Sequence, residues 1–456
     1  MGKNQAADWQ PDSWKQKPVS QQINYGDQEA LADAIEELRQ LPPLVSAIEV
    51  DNLKAQIALA QEGKQFILQG GDCAESFADC NAESISKKVR LMVNLSLLLS
   101  QKLKKPISRI GRIAGQYAKP RSQLMETILN ESLPSYRGDL VNHIHFSESA
   151  RTPDPKRMLQ GYSYASLTLN YIRSMLESDL DQIYQLEQET ENLRNLKQSK
   201  KLHQSLRQFQ EMAQMFHTFN GSQPISKSLM EFYTSHEALH LHYEQALTRQ
   251  DNNGQWYNLS THFPWVGMRT ASANSAHIEY LRGISNPVAI KVGPQIEPEQ
   301  LVSLCKTLNT ENESGRLTLI HRFGHQEIAK KLPALIRAIR AANIRVLWCC
   351  DPMHGNGRLT SQGIKTRDYA DIQSELSQAM LIHAEEGSIL GGLHLEMTAE
   401  AVMECTGSSY QVAESELNQA YTSLVDPRLN MSQAFELIDN LDNSIQKDSV
   451  IRQLKY

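Results

Sequence analysis

Cys73, His354, Glu396 and Asp426 supply one thiol, one imidazole and two carboxylates, each just beyond a short apolar run. Mixed S, N and O donors suit a borderline divalent ion such as Mn, Fe, Co or Zn. Their spacing excludes a structural zinc site built from cysteines alone or from paired cysteines and histidines. A second set is cationic: Arg112, Lys119, Arg121, Arg269, Lys291 and Arg322, with Ser122 and Met268 as neighbours. A cation at the mouth of a buried strand is expensive unless an anion meets it. Arginine offers a bidentate fork to carboxylate or phosphate, and lysine a point charge. Six such cations in a chain of net charge −6 point to one or two highly anionic small substrates. The competing reading pairs each cation with a nearby carboxylate such as Asp72, Asp139 or Asp351.

Short strands must position these groups. The runs KQFILQGGD, PISRIGRIAG, WYNLSTHFPWVG, NPVAIKVGP, GRLTLIHRFG, IRVLWCCDP and GSILGGLHLEM read as seven strands, with a weaker eighth near YTSLVD. Amphipathic helices such as AESISKKVRLMVNLSLLLSQKL and HQEIAKKLPALIRAIRAA lie between them. Strand then helix, repeated, with strands that are apolar throughout, predicts a parallel sheet covered on both faces. Eight strands make this an α/β chain with a (β/α)8 TIM barrel, here placed at residues 63–446. Reactive groups of a barrel gather at the C-terminal ends of its strands. That rule brings both sets to one face, with His394 close to Glu396.

An N-terminal extension over residues 1–62 precedes the barrel. It has an extended lead carrying Trp9 and Trp14, then two helices, the first N-capped by Asp27 and stopped before Pro42-Pro43. Two tryptophans in the lead predict packing on the body or on another subunit. Residues from about 173 to 247 begin with a polar run rich in Gln, Glu and Lys. They read as an inserted helical hairpin between strands two and three, a solvated pair packed on the barrel rather than a coiled-coil arm. Residues 447–456 form a short tail.

Lys and Arg number 46 against 52 Asp and Glu, which argues against a general nucleic-acid binder. No apolar stretch reaches the roughly 18 residues of a membrane span. The start, MGKNQAADWQ, has no apolar core for a signal peptide, and Ala6 lacks the hydroxyl of a myristoylation motif. Six scattered cysteines fit a reducing cytoplasm. One rival motif is present: His236-Glu237-Ala238-Leu239-His240 is H-E-x-x-H, which on a helix would mark a zincin protease. Tyr243 stands where the longer metzincin pattern needs glycine, and five residues are few enough to match by chance. P-loop, GxGxxG and GxSxG signatures are absent.

QGGDCAESF, RIAGQYAKPRS, YRGDLVN, GMRT followed by AHIEYLRGISNP, IKVGP, CDPMHGN, GGLHLEMT with ECTG, and DPRLN closely resemble the class II 3-deoxy-D-arabino-heptulosonate 7-phosphate synthases. The resemblance runs from about Trp9 into the 440s. It implies a (β/α)8 barrel that condenses phosphoenolpyruvate with erythrose 4-phosphate and releases phosphate, the first committed step of the shikimate pathway. It implies that Cys73, His354, Glu396 and Asp426 bind one divalent ion, manganese or cobalt first, with iron, zinc or magnesium as alternatives. Arg112, Arg269, Lys291 and Arg322 would hold phosphoenolpyruvate, with a backbone contact at Met268. Lys119 would lie at the reacting centre, and Arg121 and Ser122 would receive the sugar phosphate. Arg112, Lys119, Cys73 and His354 are the expected catalytic residues, in a homodimer or homotetramer. Two departures stand out: Met268 where the family usually has Glu, and Phe323 where it usually has Met. They predict altered affinity and hint at a divergent paralogue, feeding secondary metabolism of the phenazine type. A catalytically impaired paralogue acting as a binding protein is the alternative function.

Overall fold

The computed structural model describes residues 9–128, 130–178, 231–409 and 411–441. Eight parallel strands close into a barrel: β1 Phe66–Gly71, β2 Ile107–Arg112, β3 Phe232–Glu237, β4 Phe263–Val266, β5 Val288–Val292, β6 Leu317–His321, β7 Leu347–Cys350 and β8 Leu390–Glu396. Neighbours in space follow the chain order, and β1 closes the ring against β8, Gly71 opposite Glu396. Helices pack around the barrel and at its N-terminal end: α1 Gln28–Gln40, α2 Ala47–Gln61, α3 Ala82–Leu103, α4 Lys156–Ser178, α5 Ala276–Gly283, α6 Pro298–Leu308, α7 Ile328–Ala341, α8 Tyr369–Glu385 and α9 Met431–Asp439.

The barrel interior is filled by Ile67, Ile110, Tyr233, Phe263, Trp265, Ala289, Ile320, Leu347 and Cys349, all buried. Leu53, Ile57 and Ala60 of α2 belong to the same cluster, so this helix plugs the N-terminal end of the barrel. Ser46 and Glu49 start α2 with a reciprocal capping box. Gly315 lets the plug sit close: its φ is +79°, and a Cβ there would collide with the Lys54 carbonyl. As expected, Asp27 caps α1 and accepts from the Ala30 amide. Both lead tryptophans dock on the body. Trp9 donates to the Glu279 carbonyl at 2.9 Å and Trp14 to Gln245 at 3.1 Å.

Two strand assignments need correction. The third barrel strand is Phe232–Glu237, inside the stretch read as insertion, and WYNLSTHFPWVG divides into a hairpin strand, Trp256–Asn258, and β4. YTSLVD carries no strand. The reason is chemical. Thr234, Ser235 and His236 of β3 are buried but polar, and each has a hydrogen-bond partner: Ser235 donates to the Gly111 carbonyl and accepts from Gln69, Thr234 meets His262, and His236 Nε2 meets Glu244. A buried polar strand leaves no apolar run to read. The inserted hairpin falls mainly on residues 179–230, outside the described residues.

Candidate active site

The strand ends and the loops after them place the sequence-derived groups on one face. Cys73 follows β1, and its Sγ lies 3.3 Å from Asp426 Oδ2. Glu396 ends β8, and its Oε1 lies 2.9 Å from His354 Nε2. Cys73, Glu396 and Asp426 form one group whose donor atoms lie within 4.8 Å of one another, and His354 forms a second with Asp351 and His394. The His354–Glu396 contact joins the two groups. Asp72, beside Cys73, accepts from Arg428 at 2.5 Å, which ties the Cys73 loop to the Asp426 loop.

Electrostatics in this cluster are strong. Burial pushes the Cys73 thiol up, and the Glu396 and Asp426 carboxylates push it further. Glu396 is fully buried, yet His354, Arg367 and Arg112 hold it well below the usual carboxylate range. Its Oε2 receives Arg367 at 2.8 Å and its Oε1 receives Arg112 at 3.0 Å. Burial works to raise Asp426, but Lys119, Arg367 and His354 together outweigh it and hold the group low. Asp351 Oδ2 lies 2.7 Å from His354 Nδ1, leaving Nε2 turned toward the carboxylates. This carboxylate–histidine arrangement commonly orients a metal ligand. One S, one N and carboxylate O donors, from three loops and the end of β8, fit a borderline divalent ion.

A cavity of about 960 Å³ opens above the cluster. All of Arg112, Lys119, Arg121, Ser122, Met268, Arg269, Lys291 and Arg322 line it, as do His354 and Asp426. The pairing alternative holds for part of the set. Arg112 binds Glu396, Lys119 lies 3.9 Å from Glu396 and 3.8 Å from Asp426, and Lys291 pairs with Asp351. Asp72 and Asp139 are occupied elsewhere, by Lys88 and Arg157. Among the described residues, Arg121, Arg269 and Arg322 have no carboxylate within ion-pair distance. Arg269 donates instead to Ser122 at 3.0 Å, and Arg322 to the His354 carbonyl. Three cations facing an open cavity are therefore free to meet an anion. Burial lowers Lys291 to about 8, with Arg112 acting the same way and Asp351 opposing.

Sequence reasoning missed Arg367, and it gave Glu237 only to the rival H-E-x-x-H motif. Arg367 sits on the hairpin after β7 and grips the far oxygen of Glu396, with no local motif to betray it. Glu237 ends β3 and lines the cavity, and its buried Oε1 has no hydrogen-bond partner among the described residues. Burial raises its carboxyl, while Lys119, Lys291, Arg112 and Arg269 act against that rise. The H-E-x-x-H reading is overturned. These residues run from a strand end into a turn, where His240 only N-caps a six-residue helix. His236 contacts Glu244 at 2.8 Å and His240 contacts Tyr25 at 2.6 Å, so the two imidazoles serve different partners.

A family model described as the class-II DAHP synthetase family matches residues 9–441. The chain belongs to that family. A phospho-2-dehydro-3-deoxyheptonate aldolase of Neurospora crassa is 43% identical over 450 residues, covering 95% of this chain and 93% of that protein. One of the same name from Streptomyces coelicolor is 39% identical over 426 residues, covering 93% and 95%. The solved structure of a phospho-2-dehydro-3-deoxyheptonate aldolase from Francisella tularensis SCHU S4 is a looser likeness. It covers 94% of this chain and 99% of its own, with TM-score 0.47 and 13% identity. No helix among the described residues is long and apolar enough to cross a membrane.

Proposed function

We propose that this chain carries out its family's reaction through the cluster and cavity described above. Membership makes it a 3-deoxy-7-phosphoheptulonate synthase, the transferase of the first shikimate-pathway step, on the route to chorismate and the aromatic amino acids. Phosphoenolpyruvate, erythrose 4-phosphate and water give 3-deoxy-D-arabino-heptulosonate 7-phosphate and phosphate. The observation that carries this reading is the convergence of Arg121, Arg269 and Arg322, without a carboxylate partner among the described residues, on a cavity also lined by His354 and Asp426 of the mixed-donor cluster.

One divalent ion, manganese or cobalt before iron, zinc or magnesium, would be held by Cys73, His354, Glu396 and Asp426. It would supply Lewis acidity toward an aldehyde oxygen. Arg112, Arg269, Lys291 and Arg322 bind phosphoenolpyruvate and aim its C3 at the aldehyde, which needs no protein nucleophile. Arg121 and Ser122 take the sugar phosphate from the cavity mouth. Lys119, which burial lowers but Cys73, Glu396 and Asp426 raise above an ordinary lysine, stays protonated. Its ammonium can therefore hydrogen-bond or protonate the developing alkoxide. Water adds at C2, and phosphate leaves with C–O cleavage. Glu237, with an unpartnered oxygen at the cavity wall, is available to accept from that water.

Met268 presents its Sδ 3.3 Å from Arg322 Nη1, so no carboxylate competes there for the cation. Phe323 turns away into the outer core and stacks on His321, and it does not line the cavity. Met268, at the cavity wall, fits altered affinity with the chemistry retained, whereas Phe323 lies away from the cavity and gives no such reason. A cytoplasmic homodimer or homotetramer completes the proposal. The test is phosphoenolpyruvate consumption with erythrose 4-phosphate, after chelation and again with added Mn²⁺ or Co²⁺. Loss, recovery and one phosphate released per sugar are expected. No turnover with any divalent ion, in folded protein, refutes the reading.

A further inference from the structure

We propose that Glu375 is a positioning residue that locks the Arg322 loop to the His354 loop, so that an anion-binding cation and a metal-ligating imidazole move as one unit. The inference deepens the function proposed above and rests on it. Glu375 lies on α8, is fully buried, and touches neither the cavity nor the donor cluster. One carboxylate oxygen accepts the backbone amides of Phe323 at 2.8 Å and Gly324 at 3.0 Å. The other accepts Asn356 Nδ2 at 2.7 Å. Asn356 passes the connection on: its Oδ1 accepts the His325 amide at 3.0 Å and its Nδ2 also donates to the Pro352 carbonyl at 2.8 Å. Residues 322–325 follow β6 and residues 352–356 follow β7, so one side chain spans two adjacent loops.

The loops are otherwise in direct contact. The Arg322 guanidinium donates to the His354 carbonyl, and Gly324, at φ +86°, packs its backbone on that of Gly355. No lysine or arginine pairs with Glu375 among the described residues, so its charge rests on N–H donors alone. A buried carboxylate costs several kcal/mol unless its acceptor capacity is used. Here three donors use it. A glutamine could keep the backbone contacts through its oxygen, but its amide would then face the Asn356 amide, donor against donor. Burial raises Glu375 to about 7, which the Phe323 and Gly324 amides partly offset. Three N–H donors thus hold this carboxyl at the junction of two functional loops, with burial acting against its charge.

The test uses the full chain with Glu375→Gln and Glu375→Ala. Mn²⁺ binding and, in metal-free protein, phosphoenolpyruvate binding are each measured by calorimetry. Glutamine keeps the Arg322 loop and breaks the Asn356 link. Phosphoenolpyruvate affinity should therefore stay within about twofold of wild type while Mn²⁺ affinity falls about tenfold, the usual effect of losing a group that orients a ligand. Alanine should weaken both by about tenfold or more, the worth of hydrogen bonds to a charged group. Should the alanine variant not fold, the glutamine variant decides by itself. Unchanged Mn²⁺ affinity in folded Glu375→Gln overturns the proposal, as does an equal loss for both ligands. A wild-type protein that binds both ligands yet forms no product would instead refute the reaction assigned above.

Discussion

Asp351→Asn puts the charge balance of the cavity to a direct test. Asp351 is buried between Lys291 and His354, and its carboxylate is the only one paired with Lys291 among the described residues. Burial has already lowered Lys291 to about 8, against the upward pull of Asp351. The cation is therefore present below that pH and is lost as pH rises through it. Metal-free wild type should bind phosphoenolpyruvate evenly below about pH 7 and lose affinity above about pH 8. Unit charges about 4 Å apart at an effective dielectric of about 20 interact by roughly 4 kcal/mol, or about three pKa units. Asparagine keeps a carbonyl for the ammonium, so a downward move of about two units is expected. Near pH 7 the variant should then bind about tenfold more weakly than wild type, with the two converging at lower pH. Calorimetric titration of both proteins across the range removes the ligand's own ionisation from the comparison. An alkaline limb at the same pH in both proteins would refute the assignment of Lys291 as the titrating cation.

Cys73→Ser should lose most activity, and excess Mn²⁺ or Co²⁺ should not restore it; full activity would remove the thiol from the site. Glu237→Gln should lower kcat by about 10²-fold with little change in KM for phosphoenolpyruvate, as expected for a lost proton acceptor. A matching rise in KM alone would make Glu237 a binding group instead. Gly315→Ala should destabilise the fold by about 2–3 kcal/mol through its left-handed backbone and the clash with Lys54. Its unfolding midpoint should fall by several degrees, and an unchanged midpoint would show that α2 yields freely.

Much of the site was legible because barrels follow a positional rule. Cys73, Arg322 and His354 follow an apolar strand and Lys291 and Glu396 sit at the end of one, so reading the strand ends collected groups that lie hundreds of residues apart. Asp426 lies on a loop beyond β8, not at the end of an eighth strand near YTSLVD, so the positional rule does not account for it. β3 escaped because Thr234, Ser235 and His236 are buried with polar partners, which erases the apolar signal. Arg367 and Glu375 escaped because their roles depend on contacts across the fold. In a helix such as α8 a glutamate reads as a solvent-facing residue, and only the packing of two loops against it turns it inward.

The closure of β1 on β8 has a consequence for how this protein is made. Strand Phe66–Gly71 finds its second partner only when Leu390–Glu396 has emerged, more than 300 residues later. Until then the apolar face of α2, the first part of the barrel's inner cluster to be synthesised, has no completed ring to seal. Pairings of such long range are slow, and they leave strand edges open while they wait. The nascent chain should therefore depend on chaperone shelter late into synthesis, and a lesion near Leu390 should yield aggregates rather than a shortened enzyme.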